Sequence, residues 1–272
     1  MLEDKITIEK AKSIILERFN TSVKGRRPDT SLQNKQHDGK EGHWLEIQMG
    51  IDPNGNNDAD LLGFEMKNQT TSGKTTFGDW SADEYIFIHG RGKNPKRNST
   101  NIKFNITRDQ FFEIFGTPNP EKNNRLSWSG SVCPTFYGDT TKAGQSLDID
   151  KSTGDIIITY CFSLDERDNK TSVVPQNMQL EDLIIARWKH QSLKIKVENK
   201  FDQNGWFKCI KNSDGIYSNI HFGKSINFEL WMQLFTEKVI FFDSGMYMGN
   251  IRPYSQWRAM NTFWDSLIIE KH

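Results

Sequence analysis

Helix-type and strand-type hydrophobic patterns alternate irregularly along this chain, and this mixture limits the fold more than any other feature. Residues 6–19 repeat apolar side chains at helical spacing, whereas residues 155–162 form an apolar run of strand type. Strands and helices do not alternate at the spacing of βαβ units, and no repeat or linker divides the 272 residues. The sequence therefore predicts one α+β domain over residues 1–272, with a mixed sheet flanked by helices.

Local start and stop signals set the boundaries of the elements. Thr7 is an N-cap candidate, and Thr107 and Gln110 have the spacing of a capping box. The predicted helices cover 6–19 (with Ile8, Ala11, Ile15 and Phe19 on one face), 43–49, 111–116, 180–190 and 226–238. The predicted strands cover 61–67, 84–90, 205–211, 219–223, 239–243 and a hairpin that turns at 151–154. Residues 192–201 are compatible with either a helix or a strand. Residues 245–269 are predicted to form an aromatic loop followed by a last helix. The tryptophans Trp188, Trp231, Trp257 and Trp264 are expected in the core.

Composition narrows the class of protein. Hydrophobic residues make up only 35% of the chain, yet aromatic residues reach 12%, which a disordered chain would lack. No apolar run approaches the roughly 20 residues of a membrane span, and the acidic amino terminus is unlike a signal peptide. Cys133, Cys161 and Cys209 are widely spaced, which argues against a disulfide framework or a cysteine-rich zinc site. We therefore expect a folded protein of the reducing cytoplasm.

The segment Asp60-Leu-Leu-Gly-Phe-Glu65-Met-Lys67 carries the clearest chemical signal. If it is a strand, Glu65 and Lys67 share one face, and Phe64 and Met66 point to the core. Two carboxylates can bind Mg²⁺, which would polarise a phosphodiester and lower the pKa of a bound water. Lys67 would orient that water and offset charge in the transition state. The same short pattern also arises by chance on solvated strands, so its context decides between the two interpretations.

The context is a helix with an inward-capable carboxylate, Glu46, followed by an Asn- and Gly-rich loop and the Asp60 strand. Over residues 38–67 this order and spacing resemble the MutH-like branch of the PD-(D/E)xK nucleases, especially restriction endonucleases of the MvaI and BcnI type. Those proteins run from a helix with a Leu-Glu pair to Asp-Leu-Gly-x-Phe-Glu-Leu-Lys. The resemblance implies that Asp60, Glu65 and Lys67 are catalytic and that the two carboxylates among them bind the metal. It also implies that Glu46 assists the metal site and that Asp38 contacts DNA.

Further expectations follow from this resemblance. It implies a PD-(D/E)xK fold and a Mg²⁺-dependent type II restriction endonuclease that leaves 5′-phosphates. It also implies a CCNGG-like site cut before the central base, and a cognate DNA methyltransferase that protects the same site. Relatives with such sites suggest a monomer, although a dimer is left open. Within one nuclease domain, a catalytic lobe over about 1–110 and a DNA-recognition lobe over about 111–272 are expected.

The formal net charge of +0 averages over local basic stretches that could hold the DNA backbone. From His89 to Arg108, Arg108 included, there are six Lys or Arg residues and no acidic residue, and five Lys or Arg residues lie in 187–200. Arginine and glutamine side chains on groove-facing loops suit base recognition, and arginine pairs with guanine O6 and N7. The candidate DNA contacts are therefore, besides Asp38, His89, Arg187, Lys189, Arg252, Tyr254, Gln256 and Arg258.

Two other functions are compatible with the sequence. A MutH-like repair endonuclease shares the chemistry but nicks one strand, so plasmid and Mg²⁺ would give persistent nicked circles instead of discrete fragments. A non-catalytic DNA- or carbohydrate-binding module would use its exposed aromatic residues and would cleave nothing with any divalent metal. Replacing Asp60 with Ala would leave the activity of such a module unchanged.

Overall fold

A computed structural model of the chain describes residues 6–31, 39–52, 57–68, 70, 72–88 and 104–272. The chain divides into two compact units. Unit 1 contains residues 1–75, 195–231 and 260–272, and unit 2 contains residues 76–194 and 232–259. None of the helices in the described ranges is long and apolar enough to cross a membrane.

Unit 1 is built on a four-stranded sheet with the strand order β1-β9-β10-β14. Strand β1 runs parallel to β9, and the β9–β10 and β10–β14 pairs are antiparallel. These strands are β1 (Phe64–Asn68), β9 (Gly205–Lys211), β10 (Tyr217–Gly223) and β14 (Ile268–Lys271). The helices are α1 (Ile8–Ser22), α2 (Lys40–Gln48) and α7 (Asn261–Ser266), with parts of α5 (His190–Phe201) and α6 (Phe228–Thr236).

The core of unit 1 lies on one face of this sheet. Ala11, Ile15 and Phe19 of α1 are buried there with Phe64 and Met66 of β1, as the strand and helix periodicities predict. Thr7 caps α1 by accepting a hydrogen bond from the Lys10 backbone N–H at 3.3 Å. Ile8, predicted on the same helical face, lies in the first turn of α1 and is 49% exposed. The opposite face of β1 therefore carries Glu65 and Lys67.

A close approach between two strands fixes the packing at one end of the sheet. Gly223 of β10 pairs with Trp206 of β9, whose side chain is fully buried. A Cβ added to Gly223 would lie 2.0 Å from Cε2 of Trp206. Only glycine can occupy this position without displacing the indole ring.

We expect Gly223→Ala to lower the free energy of unfolding by about 1–3 kcal/mol through overpacking. Gly42→Ala is the matched control in the same unit, because a Cβ there meets nothing within 4 Å and the residue lies in helix α2. That substitution should leave stability unchanged or raise it by roughly 0.5–1 kcal/mol. Chemical denaturation of both variants tests the contact, and equal stability of the two would contradict it.

Unit 2 contains the remaining sheets. One has the order β3-β8-β7-β6, one has β12-β5-β4, and a third has β11-β13-β2. The strands are β2 (Lys74–Asp79), β3 (Glu84–Tyr85), β4 (Thr117–Asn119), β5 (Arg125–Trp128), β6 (Ala143–Ile149), β7 (Ile156–Asp165), β8 (Leu183–Trp188), β11 (Phe241–Ser244), β12 (Met246–Tyr247) and β13 (Ser255–Met260). The helices are α3 (Arg108–Phe115) and α4 (Lys170–Val173). Strands β2 and β13 each include residues assigned to unit 1 as well.

The structure confirms several sequence predictions in these elements. The Thr107 capping box opens α3, and the predicted hairpin is β6–β7 with its turn at 151–154. The predicted helix over 180–190 was wrong, because its apolar, β-branched run forms strand β8, which pairs with β7 and β3. The ambiguous segment 192–201 is helical, as part of α5. The four tryptophans are all buried, although Trp188 and Trp257 lie on strands.

Candidate active site

A tight turn places Asp60 beside the strand that carries Glu65. Leu62 and Gly63 both adopt left-handed backbone conformations, with φ of 52° and 79°. The Asp60 Oδ2 atom then accepts a hydrogen bond from the Met66 backbone N–H at 2.9 Å. Asn204 fixes the turn from the other side, because its Nδ2 donates to the Leu62 carbonyl at 2.9 Å. The short strand β1 and its preceding turn thus bring both predicted metal ligands together.

Glu65 and Lys67 form a buried ion pair on this face of β1. Their exposed fractions are 3% and 6%, and Lys67 Nζ lies 2.8 Å from Glu65 Oε1. Lys200 of α5 contacts the same oxygen, with its Nζ at 3.1 Å. The other oxygen, Glu65 Oε2, is buried and has no hydrogen-bond partner among the described residues. Glu65 therefore keeps one oxygen available for a ligand.

Burial dominates the electrostatics of this pair. It raises the pKa of Glu65 to about 7, although Lys67 and Lys200 act in the opposite direction. Burial also lowers the pKa of Lys67, against the attraction of Glu65. The Lys67 ammonium lies 5.0 Å from the centroid of the Phe201 ring and 5.7 Å from that of Trp264. Aromatic walls thus exclude water from Lys67 and fix its position.

The Glu46 carboxylate interacts electrostatically with Asp60 and Lys200. It lies on helix α2, and its pKa is raised first by burial and then by the negative charge of Asp60. His43 Nδ1, one turn earlier, lies 3.5 Å from Glu46 Oε2 and lowers that pKa. The structure therefore brings all four predicted catalytic residues into one region of unit 1.

The donor set suits a hard divalent cation. Asp60 and Glu65 offer carboxylate oxygens, and the unpartnered Glu65 Oε2 is a buried acceptor that a cation would satisfy. Within the described ranges, no three side chains of His, Cys, Asp or Glu converge closely enough to hold an ion by themselves. The remaining ligands would then be water, carbonyl or phosphate oxygens, as Mg²⁺ commonly uses.

Some of the residues predicted to contact DNA lie outside the described ranges, and others form ion pairs within the protein. Asp38 and His89, and the basic stretch from residue 89 to 103, lie outside the described residues. Arg187 Nη1 lies 3.0 Å from Asp150 and 2.6 Å from Asp155, and Lys189 pairs with Glu84 at 2.7 Å. Arg187 and Lys189 therefore already have carboxylate partners in the protein.

The carboxy-terminal candidates are also engaged within unit 2. Arg252 pairs with Asp79 at 2.7 Å, and its guanidinium lies 4.6 Å from the centroid of the Tyr254 ring. Gln256 accepts from Arg258 Nε at 2.9 Å, and the same Nε lies 3.2 Å from Asp243. Their role in DNA recognition stays a prediction, and binding DNA through either arginine would compete with these internal contacts.

Sequence reasoning missed the position of Lys200. Its place in the basic segment 187–200 indicated a phosphate contact, whereas the structure places its ammonium on Glu65. No local pattern links the two residues, which are separated by 135 positions. Only the packing of α5 beside β1 reveals the contact.

A solved structure with the same fold and a matching family model identify the class of protein to which this chain belongs. The fold of the chain is similar to that of the restriction endonuclease MvaI, solved in a complex with its cognate DNA substrate. The TM-score is 0.54 and 97% of each chain is covered, with 11% sequence identity. A family model of the LlaMI restriction endonuclease matches residues 23–272. The chain belongs to the LlaMI restriction endonuclease family.

A curated relative extends this similarity to nearly the whole chain. The type II restriction enzyme ScrFI of Lactococcus lactis subsp. cremoris is 46% identical over 273 residues, which cover 96% of this chain and 98% of that protein. The length of the chain and its segment 242–268 resemble those of ScrFI, and this resemblance implies ScrFI or a close relative. The identity over the whole length confirms the relationship.

Proposed function

We propose that this chain hydrolyses both strands of duplex DNA at a CCNGG-like sequence, before the central base, with Mg²⁺ bound by Asp60 and Glu65. The observation that carries the catalytic assignment is the convergence of these carboxylates with Lys67, at a buried Glu65 oxygen without a partner among the described residues. Membership of a restriction endonuclease family supports the reaction. The recognition sequence rests on the resemblance in sequence, and duplex DNA as substrate is supported by the MvaI complex.

In this mechanism, the protein's own groups position the reactants. Asp60 is held in place by the Met66 N–H, and Glu65 by the ammonium groups of Lys67 and Lys200. A bound Mg²⁺ would neutralise charge on the phosphate and make a coordinated water more acidic. Lys67, fixed between two aromatic rings, would orient the attacking water and offset charge on the pentavalent phosphorus. Glu46 would support the ligand arrangement from α2.

We propose a monomer that cuts the two strands in turn, within one nuclease domain. A DNA methyltransferase would protect the same sequence in the host. The three cysteines are free thiols, which suits the reducing cytoplasm.

Plasmid cleavage tests the proposed function against its rivals. Incubation with Mg²⁺ should convert supercoiled plasmid to discrete linear fragments, and EDTA should prevent this. Accumulation of nicked circles would favour the strand-nicking repair endonuclease. The absence of any cleavage with Mg²⁺ or Mn²⁺ would favour the non-catalytic binding module.

Lys200 provides a test of the electrostatics. Glu65 must lose its proton to bind a cation, and Lys200 favours the ionised form by lowering the pKa of Glu65. In Lys200→Ala that pKa rises further above its ordinary value, so the pH of half-maximal cleavage should move upward. If the pH of half-maximal cleavage rises by about one unit, Lys200→Ala should cleave roughly tenfold more slowly than wild type at pH values below both midpoints. At pH values above both midpoints the two proteins should cleave at similar rates.

The measurement is the pH profile of single-turnover cleavage at fixed Mg²⁺. Lys196→Ala is the control, because it removes a lysine from the same helix one turn earlier. Its profile should keep the wild-type midpoint. An equal loss at every pH in Lys200→Ala would contradict a role for Lys200 in the ionisation of Glu65.

A further inference from the structure

Arg125 of unit 2 has a guanidinium that is held in place without a carboxylate. Its Cζ atom lies 3.3 Å from the centroid of the Tyr247 ring, so the guanidinium packs closely against that ring. Among the described residues, no carboxylate lies within ion-pair distance of Arg125, and its buried Nε has no hydrogen-bond partner. Four other arginines of this unit each lie against a carboxylate: Arg167, Arg187, Arg252 and Arg258.

The platform beneath this guanidinium is rigidly built. Tyr247 belongs to β12, which pairs with β5 through Met246–Trp128 and Tyr247–Ser127. The Tyr247 backbone N–H donates to the Oδ1 atom of Asn250, which is itself buried. The next residue, Met248, donates its N–H to the Leu126 carbonyl at 2.9 Å. The ring and the strand that carries Arg125 are thus fixed to each other by backbone hydrogen bonds.

Arg125 also lies at the end of an exposed hairpin. Strands β4 and β5 pair through Asn119 and Arg125, and all five residues between these two, 120–124, are exposed. Asn123 and Asn124 adopt left-handed conformations with φ of 54° and 57°, which make the turn tight. A two-stranded ribbon of this kind is narrow enough to enter the major groove of B-DNA.

We propose that Arg125 reads a guanine of the recognition sequence. The inference rests on the proposed function and names one base-specific contact within it. Because Nε is covered, the two terminal nitrogens supply the forked donor pair that matches guanine O6 and N7. Stacking on Tyr247 fixes the plane of this fork before DNA binds, and no internal ion pair has to break.

Substitution of single guanines by 7-deazaguanine, which lacks the N7 acceptor, tests the contact. For wild-type protein, one such substitution in the cleaved site should lower the rate of cleavage roughly 10-fold to 100-fold. Arg125→Ala should lose a similar factor on unmodified DNA and should be insensitive to that same substitution. Arg125→Lys keeps the charge but not the forked donor pair. It should show the same loss of cleavage on unmodified DNA and the same insensitivity to 7-deazaguanine. This variant keeps the test valid if Arg125→Ala does not fold.

Tyr247→Phe and Tyr247→Leu form the matched control pair, because only the first keeps an aromatic ring beneath Arg125. The Leu variant should cleave more slowly than the Phe variant. The proposal is overturned if Arg125→Ala weakens binding equally on all sequences and lowers the salt slope by about one, since that describes a phosphate contact. It is also overturned if Arg125→Ala cleaves every substrate like wild type. Failure of wild-type protein to cut any DNA would instead count against the proposed function.

Discussion

Asp60→Asn is expected to lower the single-turnover rate of DNA cleavage by at least about 10³-fold. The loss of a metal-binding carboxylate removes several kcal/mol of transition-state stabilisation, at about 1.4 kcal/mol for each factor of ten. Asparagine keeps the side-chain oxygen that accepts from the Met66 N–H, so the turn before β1 should persist. The variant should therefore unfold at the wild-type temperature and still bind DNA in the presence of EDTA.

Asp58→Asn is the matched control for this prediction. Asp58 lies two positions earlier and accepts a hydrogen bond from Asn199 at 3.1 Å, a contact that asparagine can keep. It should cleave within about twofold of wild type, because no transition-state contact is removed. Wild-type activity in Asp60→Asn, or equal losses in both variants, would show that Asp60 does not bind the catalytic ion.

Lys67→Met is expected to abolish cleavage to a similar degree, by about 10³-fold or more. Methionine preserves the apolar packing against Phe201 and Trp264 but removes the ammonium that would orient the attacking water. Stability at neutral pH should not fall, because a lysine buried on this face carries a desolvation cost. Without Lys67 the pKa of Glu65 rises further, so Glu65 stays protonated and neutral.

Lys208→Met separates this role from a general need for lysine on the sheet. Lys208 is the register partner of Lys67 on β9, is also buried, and pairs with Asp265 at 2.6 Å. We expect Lys208→Met to cleave the same oligonucleotide at the wild-type rate. A thermal unfolding scan of each variant checks that it is folded. Equal activity of Lys67→Met and wild type would exclude Lys67 as a catalytic residue.

The part of this site that sequence alone predicts is local. The spacing of two between Glu65 and Lys67 places them on one strand face, and caps such as Thr7 and Thr107 mark helix starts through contacts within one turn. These features depend only on nearby residues. The convergence of Asp60 and Glu65 follows from a turn whose left-handed residues include Gly63, which permits that conformation readily.

The remaining features depend on contacts between distant parts of the chain. The apolar run 183–188 is equally compatible with a buried helix, and only its pairing with β7 makes it a strand. Lys200 reaches Glu65, and Arg125 reaches Tyr247, because strands and helices far apart in sequence pack together. The partners of Arg187 and Arg252 likewise appear only in the fold, so basic segments alone do not show which charges face DNA.

The most direct test of the central claim is to sequence the ends of a defined duplex after incubation with Mg²⁺, for wild type and Asp60→Asn in parallel. Wild type should leave 5′-phosphates at one short sequence, before the central base of CCNGG, and Asp60→Asn should leave the duplex intact. Ends scattered over unrelated sequences, or the same ends produced by Asp60→Asn, would contradict a site-specific nuclease that works through Asp60, Glu65 and Lys67.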